Sequence, residues 1–225
     1  MRQRKVKNEA EKLAQVVQIT DEAALQQKGR WYQFFGGSDA AEGEKARSLY
    51  LELGCGKGRF LMQQATLHPD RNYIGIEGRG SVVLRAMEKA RESGLTNIHF
   101  IQIYVKEIRD YFAEGELAGI YLNFSDPWPK GKHAKRRLTH RGYLAGYWEV
   151  LAPGGCLEIK TDNPALFAFT MEEFEAVDTG FQIVFATEDL HGTEDPARLV
   201  TTEYEEKFKA MGKPIYYIRA RKVDQ

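Results

Sequence analysis

Two stretches of this chain hold side chains whose types and spacing could do chemistry. In the first, Leu49-Tyr50-Leu51-Glu52-Leu53 runs straight into Gly54-Cys55-Gly56-Lys57-Gly58, and a helical pattern follows over 59–65. A strand, a glycine turn and a helix in that order let a nucleoside-bearing ligand lie against bare backbone, where a Cβ would block it. Glu77 closes the next β-rich run 23 residues after Gly54, where Rossmann-like sites place an acid to accept both ribose hydroxyls. The spacing is Gly-x-Gly-x-Gly, with Glu52 inside the strand before it. That arrangement disfavours a pyrophosphate, which wants a bare helix N-terminus. It suits S-adenosylmethionine, whose sulfonium and amino group are cationic. A glycine turn with no ligand is the plain alternative for the loop alone, and Glu77 and the spacing weigh against it.

The second stretch is Tyr121-Leu122-Asn123-Phe124-Ser125-Asp126-Pro127-Trp128-Pro129-Lys130. In open α/β sheets the ligand crevice lies outside the carboxyl ends of the strands, which places Asp126 beside the cofactor. Pro127 and Pro129 fix φ and stiffen the turn around Trp128. Over 130–141 there are six cations (Lys130, Lys132, Lys135, Arg136, Arg137, Arg141), two histidines and no acid. A solvated face would account for such a run in an arbitrary protein. Directly after a crevice-lining turn it points instead to the phosphates of a polyanionic substrate.

The elements that must carry these groups read as α/β. Short β-rich runs at 48–53, 72–77, 98–105, 119–124 and 155–161 alternate with amphipathic helical patterns, so parallel strands with crossover helices are expected. Ser81 is expected to cap the helix holding Val82, Val83, Ala86, Met87 and Ala90, with Gly94 closing it; Thr139 and Asn163-Pro164 are expected to open two later helices. Runs at 181–187 and 214–222 read as an antiparallel pair at the sheet edge, joined by a long polar loop without structure of its own. The whole predicts a Rossmann-like doubly wound sheet, mostly parallel, over 41–225, with residues 1–40 as a basic, partly flexible appendage. Hydrophobic residues make up 43% of the 225, enough for a sizeable core. Lys plus Arg and Asp plus Glu both number 32, so a nucleic-acid partner must be argued from where charge sits. No signal-like or membrane-length apolar run occurs, and Cys55 and Cys156 lack metal-type spacing. A reduced, cytoplasmic setting is expected, with no metal and no membrane partner.

The sequence resembles the bacterial tRNA (guanine-N7)-methyltransferases. The segments that carry the resemblance are Gly54 to Gly58, Tyr73-Ile74-Gly75-Ile76-Glu77, Asn123 to Lys130 with Arg136-Arg137-Leu138-Thr139, Lys160-Thr161-Asp162-Asn163, and Thr202-Glu203-Tyr204-Glu205-Glu206-Lys207-Phe208. Lys28-Gly29-Arg30-Trp31 with Phe35-Gly36 matches as well. The resemblance implies a class I methyltransferase acting on the guanine at position 46, in the tRNA variable loop. It implies that Glu52 and Glu77, with Gly54 and Gly56, contact S-adenosylmethionine, and that Asp126 lies at the reaction centre. Lys130, Asp162, Thr202, Glu203, Tyr204 and Glu205 would contact guanine or nearby tRNA, and Lys132, Lys135, Arg136 and Arg137 would track its backbone. The chain departs from the pattern at Tyr104-Val105, where relatives usually have an acid or Asn followed by Ala for the adenine amino group. Here the Val105 amide is expected to serve the adenine, with Tyr104 packing or stacking.

Guanine N7 has an in-plane lone pair and no proton, so attack on a sulfonium methyl needs no general base, and positioning and electrostatics dominate. Asp126 is expected to stabilise the cation forming on the purine. Asp162 is expected to accept from guanine N1–H and N2–H₂, unless it merely caps the next helix. Trp128, Trp31 or Tyr204 are candidates for stacking on an extruded base. Two other classes compete: a nicotinamide-dependent oxidoreductase, which leaves the 130–141 cluster idle, and a non-catalytic tRNA-binding subunit. A monomer or a homodimer is expected.

Overall fold

A computed structural model describes residues 8–16, 19–36, 47–176 and 179–223. The basic N-terminal tail with Arg2, Arg4, Lys5 and Lys7 lies outside them, as does the expected boundary near residue 40. The chain forms two compact units, Met1–Lys106 and Glu107–Gln225.

In the first unit β1 (Ser48–Leu53), β2 (Arg71–Glu77) and β3 (Ile98–Gln102) pair in parallel, with β2 between the others. The inner residues of β2 are all buried, so its burial is continuous rather than alternating, as in a strand covered on both faces. Helices α4 (Arg59–Leu67) and α5 (Gly80–Ser93) supply the crossovers. The apolar stripe of α5, Val82, Val83, Ala86, Met87 and Ala90, is buried, and Gly94 ends the helix with φ 69°. Ser81 is not its cap: the helix begins a residue earlier, behind Arg79, which makes no side-chain cap bond. The N-terminal stretch contributes α1 (Glu9–Val16), α2 (Asp21–Leu25) and α3 (Trp31–Phe34). Trp31 is fully buried and so cannot stack on a base.

In the second unit β4 (Leu117–Asn123) pairs in parallel with β5 (Leu151–Thr161). β5 pairs antiparallel with β7 (Tyr216–Lys222), which pairs antiparallel with β6 (Phe181–Thr187). Burial alternates along β6, as expected for an edge strand with one wet face. Helix α6 (Arg141–Val150) is capped by His140, whose Nδ1 accepts the Gly142 amide at 3.1 Å. Thr139, the expected cap, is buried and accepts the Thr170 hydroxyl at 2.8 Å. Helix α7 (Pro164–Glu175) opens as expected, Asn163 accepting the Leu166 amide at 2.9 Å with Pro164 in the first turn. The long connection from β6 to β7 does have structure of its own: 3-10 turns at Leu190–Gly192 and Pro196–Leu199, then α8 (Glu203–Ala210). Among the described residues no helix is long and apolar enough to cross a membrane.

Candidate active site

The first unit presents its candidate groups at the carboxyl ends of β1 and β2. The amides of Gly54 and Cys55 both donate to the Ile76 carbonyl, at 2.8 and 3.1 Å, which turns the chain sharply as it leaves β1. Gly54 and Gly56 have φ of 79° and 59°, and a Cβ built on either meets nothing within 4 Å. The turn therefore offers bare, left-handed backbone to open space, as a close-lying ligand requires. Glu52, one residue from the end of β1 and in register with Gly75, is 2% exposed. Glu77 ends β2 half-buried, one carboxylate oxygen accepting the Arg79 amide at 2.9 Å. Two acids beside a bare glycine turn fit a ligand with a ribose diol and a positive charge.

Strand β3 ends at Gln102, so Tyr104 and Val105 lie beyond it rather than on it. Tyr104 is 73% exposed, yet its ring is pressed onto the residue after Glu77: a Cβ on Gly78 would come within 2.1 Å of Tyr104 Cε1. Tyr104 thus lays its ring over the Glu77–Gly78 corner.

The second unit presents its groups at the carboxyl ends of β4 and β5. Asn123 is in register with Lys160, and the Phe124 amide donates to the Lys160 carbonyl at 2.8 Å, the last rung before the chains part. Phe124 and Trp128 then take φ of 54° and 41°, unusual for large side chains. Arg137 holds this bend: its Nε donates to the Pro127 carbonyl at 3.0 Å and its Nη2 to the Trp128 carbonyl at 3.1 Å. Asp126 is exposed in the bend, and Asp162 follows the end of β5. Because Asn163 caps α7, Asp162 is not needed as a cap. Neither aspartate has a side-chain partner among the described residues.

The cationic run divides. Lys130, Lys132 and Lys135 are exposed. Arg136 lies over the Trp128 ring at 4.9 Å, Arg141 pairs with Glu173 at 2.9 Å, and Arg137 is the half-buried clamp just described. Arg137 is therefore withdrawn from the set expected to track an RNA backbone.

Residues 46–218 match the family model Methyltransf_4, described as "Putative methyltransferase". A tRNA (guanine-N(7)-)-methyltransferase of Geobacillus thermodenitrificans is 42% identical over 198 residues, 88% of this chain and 87% of that protein. One from Lactococcus lactis subsp. cremoris is 40% identical over 222 residues, 98% of each. The chain belongs to the tRNA (guanine-N7)-methyltransferase family. Among solved structures, an antibiotic-related methyltransferase aligns with a TM-score of 0.60 and 17% identity, over 87% of this chain and 94% of that one. A 30S ribosomal A1408 methyltransferase from an uncultured bacterium gives 0.57 and 14% over 87% and 93%. At that identity the likeness establishes the class I methyltransferase fold.

In this tRNA (guanine-N7)-methyltransferase family member, the segment from Thr202 to Glu205 does not present all four side chains outward. Thr202 caps α8, accepting the Glu205 amide at 2.9 Å, while the Glu205 carboxylate accepts the Thr202 amide at 3.3 Å. Glu205 is 0% exposed and also takes Lys160 Nζ at 3.1 Å on each oxygen and His191 Nε2 at 3.0 Å. Its expected direct contact with guanine gives way to a buried, structural one. Tyr204 remains outside, 56% exposed and stacked on Phe124 at 6.3 Å, and Glu203 is half-buried. Sequence reasoning missed the partners of Glu205, although Thr-x-x-Glu is the signature of a capping box and was legible.

Proposed function

We propose that this chain transfers the methyl group of S-adenosylmethionine to N7 of the guanine at position 46 of tRNA. The observation that carries the reading is that Asp126 and Asp162 both follow the carboxyl ends of adjacent parallel strands, β4 and β5, with exposed Lys130, Lys132 and Lys135 next along the chain from Asp126. Names of relatives at 42% and 40% identity support the same substrate class.

In this reading Glu77 accepts the ribose hydroxyls, Glu52 favours the positive charge, and Gly54 and Gly56 leave room for the nucleoside. Tyr104, with the Val105 backbone, borders the adenine. Bound S-adenosylmethionine supplies an electrophilic methyl on a sulfonium. Guanine N7 needs no base, so the chain's task is to hold the purine in line and to favour the positive charge that appears on it. Asp162 accepts from N1–H and N2–H₂, an edge adenine cannot mimic. Asp126 faces the developing cation, and Lys130, Lys132, Lys135 and Arg136 meet phosphates. Thr202, Glu203 and Tyr204 border the base from α8.

The test is transfer of labelled methyl to tRNA transcripts with and without a guanine in the variable loop, followed by strand cleavage at N7-methylguanine. Label and cleavage should both require that guanine. The Asp126→Ala variant should lose transfer by about a hundredfold or more while binding tRNA nearly as the parent does. Equal loss of both would remove Asp126 from its role.

A further inference from the structure

The second unit buries a lysine that the methyl-transfer chemistry does not use. Lys160, on β5 opposite Tyr217 of β7, is 2% exposed. Its Nζ donates to the carbonyls of Ala197 at 2.7 Å and Val200 at 2.8 Å, and to both oxygens of Glu205. An ammonium has three hydrogens, and one stretch of chain, 197–205, offers it four acceptor atoms. A second staple acts a few residues upstream. Arg219 of β7 grips Asp195 with both branches of its guanidinium, at 2.8 and 3.0 Å. Asp195 in turn accepts the Ala197 amide at 2.9 Å and so opens the 3-10 turn Pro196–Leu199.

A buried ion pair is weak evidence for stability, because taking both charges out of water costs about what their attraction returns. Two backbone carbonyls bonded to the same ammonium are different: no apolar replacement could hold them. The interaction therefore fixes geometry. What it fixes is the path of 195–205 across β5 and β7, and that path sets where α8 starts and where Glu203 and exposed Tyr204 stand.

We infer that Lys160 and Arg219 are positioning residues for the methyl acceptor, holding the 195–205 segment in the conformation that receives guanine. The inference rests on the function proposed above for the same site. Lys160 is too deeply buried to touch tRNA, so any effect of its loss on tRNA passes through the segment.

The experiment compares the parent with Lys160→Met for thermal unfolding, S-adenosylmethionine dissociation constant, KM for tRNA in methyl transfer, and amide hydrogen exchange over 197–205. The variant should raise KM for tRNA by about tenfold and quicken exchange in that segment, leaving the dissociation constant within about twofold. The inference is overturned if either KM for tRNA or exchange stays within about twofold of the parent. Should Lys160→Met fail to fold, Arg219→Lys decides, since it keeps the charge and loses the fork. It should raise KM for tRNA about threefold, and an unchanged KM overturns the inference. A parent protein that transfers no methyl to tRNA fails the underlying reading first, before any variant is compared.

Discussion

The cations after the Pro127-Trp128-Pro129 turn look alike in sequence, and their surroundings give them different work. Arg137 spends its guanidinium on the carbonyls of Pro127 and Trp128 and lies 4.2 Å from the centre of the Phe169 ring. The turn it holds carries two large residues at positive φ, a conformation costing on the order of 1–3 kcal/mol for each. Arg137→Ala removes two charge-assisted bonds worth roughly 1.5–3 kcal/mol apiece, so urea unfolding should show a loss of about 3 kcal/mol. Asp126 would then be held less firmly, and kcat should fall while affinity for S-adenosylmethionine stays near the parent's. Arg137→Lys should not restore either quantity, because a point charge cannot bridge both carbonyls. A variant of parental stability and kcat would refute the clamp. Features that follow from a local pattern, the bare glycine turn at 54 and 56 and the places of Glu52 and Glu77 at the ends of β1 and β2, were legible in the sequence. Arg137 and Arg141 were not, since one bonds to carbonyls created by a backbone bend and the other to a glutamate 32 residues away.

At the scale of elements, strands and helices with strong periodic or capping signals stood where the sequence put them. β1, β6 and the Asn163-Pro164 start of α7 are the clearest. β3 stopped at Gln102 because residues 103–105 leave the ladder after the Ile103 amide bonds to the Glu77 carbonyl at 3.2 Å. The connection after β6 looked structureless because its 195–200 part is ordered by Lys160 and Arg219, which no local pattern reveals, and because the legible capping box that opens α8 was overlooked. The packing of α3 was likewise invisible. Phe34 and Phe35 contact His99 of β3, with ring centroids 4.6 and 4.7 Å away. Burial pushes His99 down to about 4, so it is neutral in the fold. The unfolded chain, with an ordinary histidine near 6.5, binds more protons between those values, and stability must rise with pH across that window. About 3 kcal/mol should be lost as pH falls from roughly 6.5 to 4, measured by urea unfolding. His99→Phe keeps the ring contacts and cannot titrate, so the difference between parent and variant should slope over this range. A flat difference would refute the assignment. Asp195 reinforces the trend at lower pH: burial raises it, but Arg219 and the Ala197 amide outweigh burial and hold it below the ordinary carboxylate range.

At the scale of the whole molecule, zero formal net charge means that no net charge draws in a polyanion. Attraction to tRNA must come from a short-range patch, and the exposed part of 130–136 supplies one: Lys130, Lys132, Lys135 and Arg136. Binding through such a patch releases counterions, so the logarithm of the tRNA association constant should fall linearly with the logarithm of salt concentration. Each phosphate contact contributes about 0.7–0.9 to that slope. Lys132→Ala with Lys135→Ala should therefore flatten it by about 1.5. The same double variant should leave S-adenosylmethionine affinity unchanged at every salt concentration, since neither lysine is among the residues assigned to that ligand. Arg137→Ala gives the contrast that makes the measurement decisive. A residue bonded inward to Pro127 and Trp128 should weaken catalysis without altering the slope, whereas two outward lysines should alter the slope with little effect on kcat at saturating tRNA. If all three substitutions flattened the slope equally, the run would be one undifferentiated basic face, and the division of labour among its cations would be wrong.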